Sequence, residues 1–189
     1  MDRLEEYAKE NKIPIMQKDG ILFLIDYIKN NNIKTILEIG SAIGYSAINM
    51  ALVDKDIKVT TIERDEVRYN EAIKNIKDFK LEKQINIILA DALETNIKGK
   101  YDLIFIDASK AQYIKFFEKY KENLNKEGTI VSDNLNFHGL TKEDVVIKNK
   151  NLRQLVTKIN KYKEFLKHNT EFNTTFLEIG DGIGISKRK

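Results

Sequence analysis

The chain has 189 residues, 42% of them hydrophobic and 32% charged, with a formal net charge of +3 and no cysteine. That size and composition predict one soluble globular domain with a sizeable core, and they exclude a disulfide framework and a bilayer-spanning segment. The opening Met1-Asp2-Arg3-Leu4-Glu5-Glu6 has no apolar signal core, so a cytoplasmic location is expected, and the charge is too slight to demand a polyanionic partner.

Residues 2–11 predict a charged helical arm, which the single proline, Pro14, separates from a second helix over residues 17–29. Ile21, Leu22, Leu24, Ile25 and Ile28 give that second helix an apolar face, and residues 1–32 are expected as an arm and cap on one domain spanning 1–189. Next comes Thr35-Ile36-Leu37-Glu38-Ile39-Gly40-Ser41-Ala42-Ile43-Gly44-Tyr45-Ser46, a buried strand, a tight glycine turn and a helix start. The glycines permit a sharp turn and a close ligand approach. The Gly-x-Gly-x-x-Gly dinucleotide pattern is absent, so a different adenosine-bearing ligand fits better, the alternative being an ordinary packing turn.

Strand-like runs recur at residues 35–39, 57–62, 85–89, 103–107 and 129–132, with helical patterns expected in the gaps. Near-continuous apolar strands alternating with helices predict a doubly wound α/β domain with a parallel sheet covered on both faces. A long helix is expected from about residue 143 to 167, with Leu152, Leu155, Val156, Ile159, Tyr162 and Leu166 as its core stripe. Lys148, Lys150, Arg153, Lys158, Lys161 and Lys163 fall largely elsewhere, as a solvated face would. Runs at 174–179 and 182–186, joined by a turn at Gly180-Asp181, should close the sheet with an antiparallel pair.

In such sheets ligands bind beyond the carboxyl ends of the strands, where the strand order reverses. Five acids follow or end these strands: Glu38, Glu63, Asp91, Asp107 and Asp133. Glu63 is spaced to accept hydrogen bonds from the hydroxyls of an adenosine ribose, and Asp91-Ala92 could contact an adenine edge. Any one of these acids could instead be a helix cap. Asp107, Asp133 and Asn134 are hard oxygen donors suited to Mg²⁺, Ca²⁺ or Mn²⁺, leaving about three of six octahedral positions for substrate and water. Zinc is disfavoured, since cysteine is absent and His138 and His168 are isolated. Lys110, three residues past Asp107, is either a base beside such a site or a surface lysine at a helix start.

Taken together, Glu38-Ile39-Gly40-Ser41-Ala42-Ile43-Gly44-Tyr45-Ser46, Thr61-Ile62-Glu63-Arg64-Asp65, Phe105-Ile106-Asp107-Ala108-Ser109-Lys110 and Val131-Ser132-Asp133-Asn134 resemble the metal-dependent S-adenosylmethionine O-methyltransferases of the catechol and caffeoyl-CoA type. The match spans nearly the whole chain. Within that family the chain is similar to the bacterial branch that methylates 5-hydroxyuridine in tRNA, through Ile13-Pro14-Ile15-Met16, Ala111-Gln112-Tyr113, Phe137-His138-Gly139-Leu140 and Gly180-Asp181-Gly182-Ile183.

The resemblance implies a class I, Rossmann-like methyltransferase sheet of seven mostly parallel strands with an antiparallel C-terminal strand. It implies S-adenosylmethionine and Mg²⁺ or Mn²⁺ as cofactors, the tRNA anticodon stem-loop as partner, and a homodimer. Glu63 would bind the ribose, Gly40 and Ser46 the methionine part, and Asp91 and Ala92 the adenine side. Ile15, Glu38, Ser41, Tyr45, Arg64 and Asp107 complete the implied cofactor set, Asp107, Asp133 and Asn134 the metal set, and Lys110 with Asp107 the catalytic pair. The implied product is 5-methoxyuridine at the wobble position. A small catechol-like or caffeoyl-CoA-like vicinal diol is the alternative acceptor, and a noncatalytic RNA-binding module is a second alternative. For RNA, Lys12, Lys18, Lys115, Lys148, Lys150, Arg153 and the Lys187-Arg188-Lys189 tail could supply charge, and Tyr113 or Phe137 stacking. Two departures stand out. The Gly182-Ile183-Gly184 stretch offers no acid of the kind plant and animal relatives place near the C-terminal hairpin, and the N-terminal arm is short beside many relatives.

Overall fold

The computed structural model describes residues 1–141 and 145–189. Among these, seven strands form one sheet: β1 (Thr35–Ile39), β2 (Lys58–Glu63), β3 (Ile85–Leu89), β4 (Tyr101–Ile106), β5 (Leu124–Ser132), β6 (Phe172–Leu177) and β7 (Ile183–Arg188). Their spatial order is β3-β2-β1-β4-β5-β7-β6. Strand β7 runs antiparallel to both of its neighbours, and the remaining pairs are parallel. The order reverses between β1 and β4, the place where a doubly wound sheet opens a crevice.

Alternation along the central strands sends side chains to two cores. Ile36, Leu103, Phe105 and Val131 face a layer that includes α1 (Asp2–Glu10), α2 (Lys18–Asn30) and α3 (Tyr45–Ala51). Leu37, Ile39, Ile104, Ile106 and Ile130 face the opposite layer, with α5 (Tyr113–Tyr120) and α6 (Lys150–Lys167). Burial on both faces is why these strands read as apolar runs rather than strict alternations. In the second layer Tyr113 meets Tyr162 edge-on at 5.2 Å, and Phe117 meets Phe172 at 5.1 Å. Each such pair adds about 0.5–1.5 kcal/mol beyond burial, and together they seat α5 and α6 behind the ends of β4 and β5.

Four expectations about the elements are corrected. The link between β3 and β4, residues 90–100, holds no helix, although helical patterns were expected in every gap. Its carbonyls are met by side chains of the next segment instead: Tyr120 donates to Ala92 O, Lys119 to Leu93 O and Asn123 to Ile97 O. Strand β5 begins five residues before the expected start at 129, past a register shift at Tyr101/Leu103. There the Asp102 carboxylate accepts from Lys34 N, Thr35 N and Asn125 Nδ2.

The long helix starts at Lys150, because Asn149 caps it by accepting from Leu152 N at 3.0 Å. Residues 145–149 are not helical, and the expected start at Glu143 lies outside the described residues. The connection between β6 and β7 is a five-residue loop, 178–182, rather than a two-residue turn. Helix α4 (Glu66–Asp78) packs beside β2 and β3, capped by Asp65, which accepts from Arg68 N at 2.9 Å.

Candidate active site

The glycine turn is held against the end of β4. Gly40 has φ +101°, and a Cβ there would strike the Asp107 carbonyl, so only glycine lets the two strand ends close up. Gly44 caps α3 in the left-handed conformation with φ +83°. Beneath the turn Glu38 is fully buried. Its carboxylate accepts hydroxyl hydrogen bonds from Ser46 and Thr61, and Thr61 is bonded in turn to Ser41. Burial, only partly offset by those two hydroxyls, pushes the Glu38 carboxyl up to about 7. Glu38, placed in the expected cofactor set, thus stands beneath the turn, where it fixes Ser46 directly and Ser41 through Thr61.

Above the turn lies a cavity of about 510 Å³. Its walls bring together Ile15 with Pro14 and Met16, the turn residues Gly40, Ser41, Tyr45 and Ser46, and Glu63 with Arg64. Asp91 and Ala92, then Asp107, Lys110 and Asn134, complete the circuit, so every expected cofactor residue except Glu38 lies on this wall. Glu63 is clamped, its carboxylate accepting from the backbone N–H groups of Ala42, Arg64 and Asp65 at 2.8–2.9 Å. A carboxylate offers about four acceptor sites, so a position remains for a hydroxyl on the cavity side. Asp91 is held in an Asx turn by Leu93 N at 2.8 Å. Tyr45, whose hydroxyl donates to Glu5 at 2.8 Å, ties the cavity to α1, and burial raises that phenol above its ordinary range.

At the ends of β4 and β5 the register Ile106↔Ser132 sets Asp107 and Asp133 side by side. Lys110 Nζ donates to Asn134 Oδ1 and lies 3.9 Å from Asp107 Oδ1. Asn134, at φ +60°, also donates through Nδ2 to Asp133 Oδ2 at 3.1 Å. Asp133 is only 1% exposed and stands behind the cavity wall rather than on it. Burial and the neighbouring Asp107 push its carboxyl up to about 8. Burial and Asp181 likewise raise Asp107, against the pull of Lys110.

Two adjoining carboxylates, both driven up by burial, Asp133 also by Asp107 and Asp107 by Asp181, need positive charge, and with the Asn134 amide oxygen they match the donor chemistry of a hard divalent cation. Among the described residues no three His, Cys, Asp or Glu side chains form a metal-binding group, so any such set depends on the amide.

A second recess of about 450 Å³ adjoins the first, sharing Gln17, His138 and Asp181 with it. Asn136, Thr141, Lys163 and Glu178 extend its walls. The loop between the two is strained: Asn134, Phe137 and His138 all have positive φ, at +60°, +42° and +56°. Such backbone persists only where surrounding contacts enforce it, and here the buried Asp181 accepts from His138 N at 2.5 Å.

The Gly182-Ile183-Gly184 stretch holds no acid, but Asp181, which the sequence offers as a turn residue and as part of the Gly180-Asp181-Gly182-Ile183 motif, is buried at the site one position earlier. The signal was topological. A strand antiparallel to β5 must begin where β5 ends, as Ser132↔Gly184 shows, so the residues before it sit at the site.

Two other expectations change. Tyr113 is 1% exposed with its hydroxyl on Asp133 O, so it cannot stack on a ligand, whereas Phe137 lines the cavity. The Lys187-Arg188-Lys189 tail lies toward the opposite end of the sheet, with Lys187 beside Thr129, and Arg188 donates to Lys121 O at 2.7 Å.

A family model described as O-methyltransferase matches residues 1–189. A caffeoyl-CoA O-methyltransferase of Stellaria longipes is 31% identical, over 99% of this chain and 83% of the relative. The crystal structure of a Staphylococcus aureus protein described as a candidate caffeoyl-CoA O-methyltransferase superposes with a TM-score of 0.95 at 40% identity, covering 100% of this chain and 91% of that one. An O-methyltransferase from Bacillus cereus, solved in complex with SAH, shares the fold with a TM-score of 0.84 at 22% identity, covering 100% and 90%.

Proposed function

The chain belongs to the O-methyltransferase family, and on that premise we propose that it methylates the 5-hydroxyl of 5-hydroxyuridine at the wobble position of tRNA, with S-adenosylmethionine as donor and Mg²⁺ or Mn²⁺ bound by Asp107, Asp133 and Asn134. The observation that carries the acceptor is the second recess, whose side chains are polar: Gln17, Asn136, His138, Thr141, Lys163 and Glu178, with Asp181 at the junction. A ribonucleotide fits such walls better than a phenylpropanoid, which needs apolar or aromatic ones.

When bound, S-adenosylmethionine supplies an electrophilic methyl group, and a divalent cation supplies Lewis acidity that eases loss of a hydroxyl proton. The chain's own residues do the rest. Glu63, fixed by three backbone amides, orients the ribose, while Asp91 and Ala92 flank the base. Ser41 and Ser46, steadied by Glu38 and Thr61, face the methionine end. Asp107 stands at the junction between glycine turn and acid set, so it relates donor to acceptor. Lys110 Nζ is placed to take up the acceptor's hydroxyl proton, and the oxygen that loses it would take the methyl group as the donor's carbon–sulfur bond breaks and S-adenosylhomocysteine leaves. Both the 5-hydroxyl and the 4-carbonyl of 5-hydroxyuracil are adjacent oxygens, as the chemistry requires. Phe137, on the cavity wall, would stack on the extruded base.

A second reading, a catechol-like or caffeoyl-CoA-like diol, is favoured by the buried Asp181 at the C-terminal turn, placed to hold a second phenolic oxygen, and by the naming of the Stellaria relative. The test is mass spectrometry of tRNA nucleosides after incubation with labelled S-adenosylmethionine and tRNA bearing 5-hydroxyuridine, beside reactions with free catechols and caffeoyl-CoA. Labelled 5-methoxyuridine is expected; label only in the diol arms would overturn the acceptor assignment.

A further inference from the structure

The cationic residues of α6 divide into two groups. Lys150, Arg153, Lys158, Lys161 and Lys167 are exposed, whereas Lys163 is half-buried and lines the recess beside the acid set. Its helix neighbour Glu164 is already bonded to Lys167 at 2.7 Å, and among the described residues no acid pairs with Lys163. Glu178 shares the recess wall but is exposed and forms no ion pair with it. Elsewhere on the wall Gln17, Asn136 and Thr141 carry neutral hydrogen-bonding groups, and the buried Asp181 is engaged by His138 N.

Glu164 and Glu178, the carboxylates that act on Lys163, are exposed and stand beyond ion-pair distance, so this half-buried ammonium keeps positive charge that an arriving anion can use. Burial and the neighbouring Lys167 hold the Lys163 amine below the ordinary lysine range, outweighing the opposite pull of Glu178 and Glu164. The recess reaches the acid set through His138 and Asp181, which belong to both cavities. An acceptor whose reacting oxygens lie at Lys110 and Asn134 has room for its remaining atoms in the recess, toward α6.

Resting on the nucleotide reading above, we propose that Lys163 binds a phosphate of the acceptor nucleotide, and that this contact favours a phosphorylated substrate over the bare nucleoside. One lysine suits one phosphodiester, as a point charge rather than a bidentate clamp. The neutral hydrogen-bonding wall suits the sugar between phosphate and base. Glu178 and Asp181 limit the anionic charge the recess accepts, which disfavours a multiply charged tail.

The test is calorimetry on the full chain loaded with Mg²⁺ and S-adenosylhomocysteine, titrated with 5-hydroxyuridine and separately with its 3′- and 5′-monophosphates. The wild type should prefer one monophosphate by about tenfold, a preference that shrinks with added salt. In Lys163→Ala the ratio of the two affinities should fall toward one, and Lys163→Arg should restore most of it. A wild-type ratio of one, or a full preference retained in Lys163→Ala, overturns the proposal. The two readings fail separately. A wild type that methylates 5-hydroxyuridine RNA without any monophosphate preference refutes the phosphate contact alone. A Lys163-dependent preference without turnover of that RNA supports the contact and refutes the acceptor assignment.

Discussion

Glu38→Gln probes the buried carboxyl under the glycine turn. In the unfolded chain this group loses its proton near 4.5, whereas in the native protein it holds it to about 7. Between those values unfolding releases a proton, so native stability falls as pH rises through the window and levels off above it. At about 1.36 kcal/mol per pH unit, the penalty at neutral pH is about 3 kcal/mol. An amide carries no such charge. It keeps one acceptor for Ser46 and turns its donor toward Thr61, whose hydroxyl can then point to Ser41, a rearrangement costing about 1 kcal/mol.

Relative to the wild type, Glu38→Gln should therefore gain stability steadily between pH 4.5 and 7 and hold that gain above it. Urea unfolding of both proteins without cofactor, in steps across that range, measures the difference. Asp107 and Asp133 titrate in both proteins and largely cancel. A stability difference that does not change with pH would refute the argument, since it would mean Glu38 titrates as it does in water.

Gly40→Ala combines a positive φ with a collision against the Asp107 backbone, so it should cost more than about 2 kcal/mol and lower the melting temperature by about 4–8 °C in a thermal scan. Glu63→Ala removes the ribose acceptor and orphans the N–H groups of Ala42, Arg64 and Asp65, and should weaken S-adenosylhomocysteine binding about tenfold to a hundredfold in calorimetry. Asp133→Ala deletes a carboxylate that is costly to bury. It should retain the wild-type melting temperature at neutral pH while losing methylation and the stabilisation by Mg²⁺ seen on thermal melting. Full turnover of that variant in a chelator would remove the metal role.

Much of the fold was legible because two local signals agree in this chain. The strand cores, Ile36-Leu37 and Leu103-Ile104-Phe105-Ile106 among them, are apolar on both faces, and the glycine turn needs conformations few other residues adopt. The strand-end rule then led from Glu63, Asp91, Asp107 and Asn134 to one cavity. It failed for Glu38, since an acid at a strand end can point into the core as readily as out of it, and pattern does not reveal which. It missed Asp181 because a Gly-Asp-Gly turn has the same composition whether or not its carboxylate is buried.

The sequence by itself determined the strand and helix periods, the glycine turn, the acids that end the strands and, through their combination, the methyltransferase family. These depend on side-chain chemistry within a few residues, where periodicity and turn preference act. Tertiary structure alone decided the rest. The register of β4 against β5 pairs Asp107 with Asp133, the reversed direction of β7 delivers Asp181, and the packing of α6 turns Lys163 into a recess while Lys150 and Arg153 stay in solvent. Those outcomes join residues 26 to 74 positions apart, from Asp107 to Asp133 and from Asp107 to Asp181, and no local pattern spans that distance.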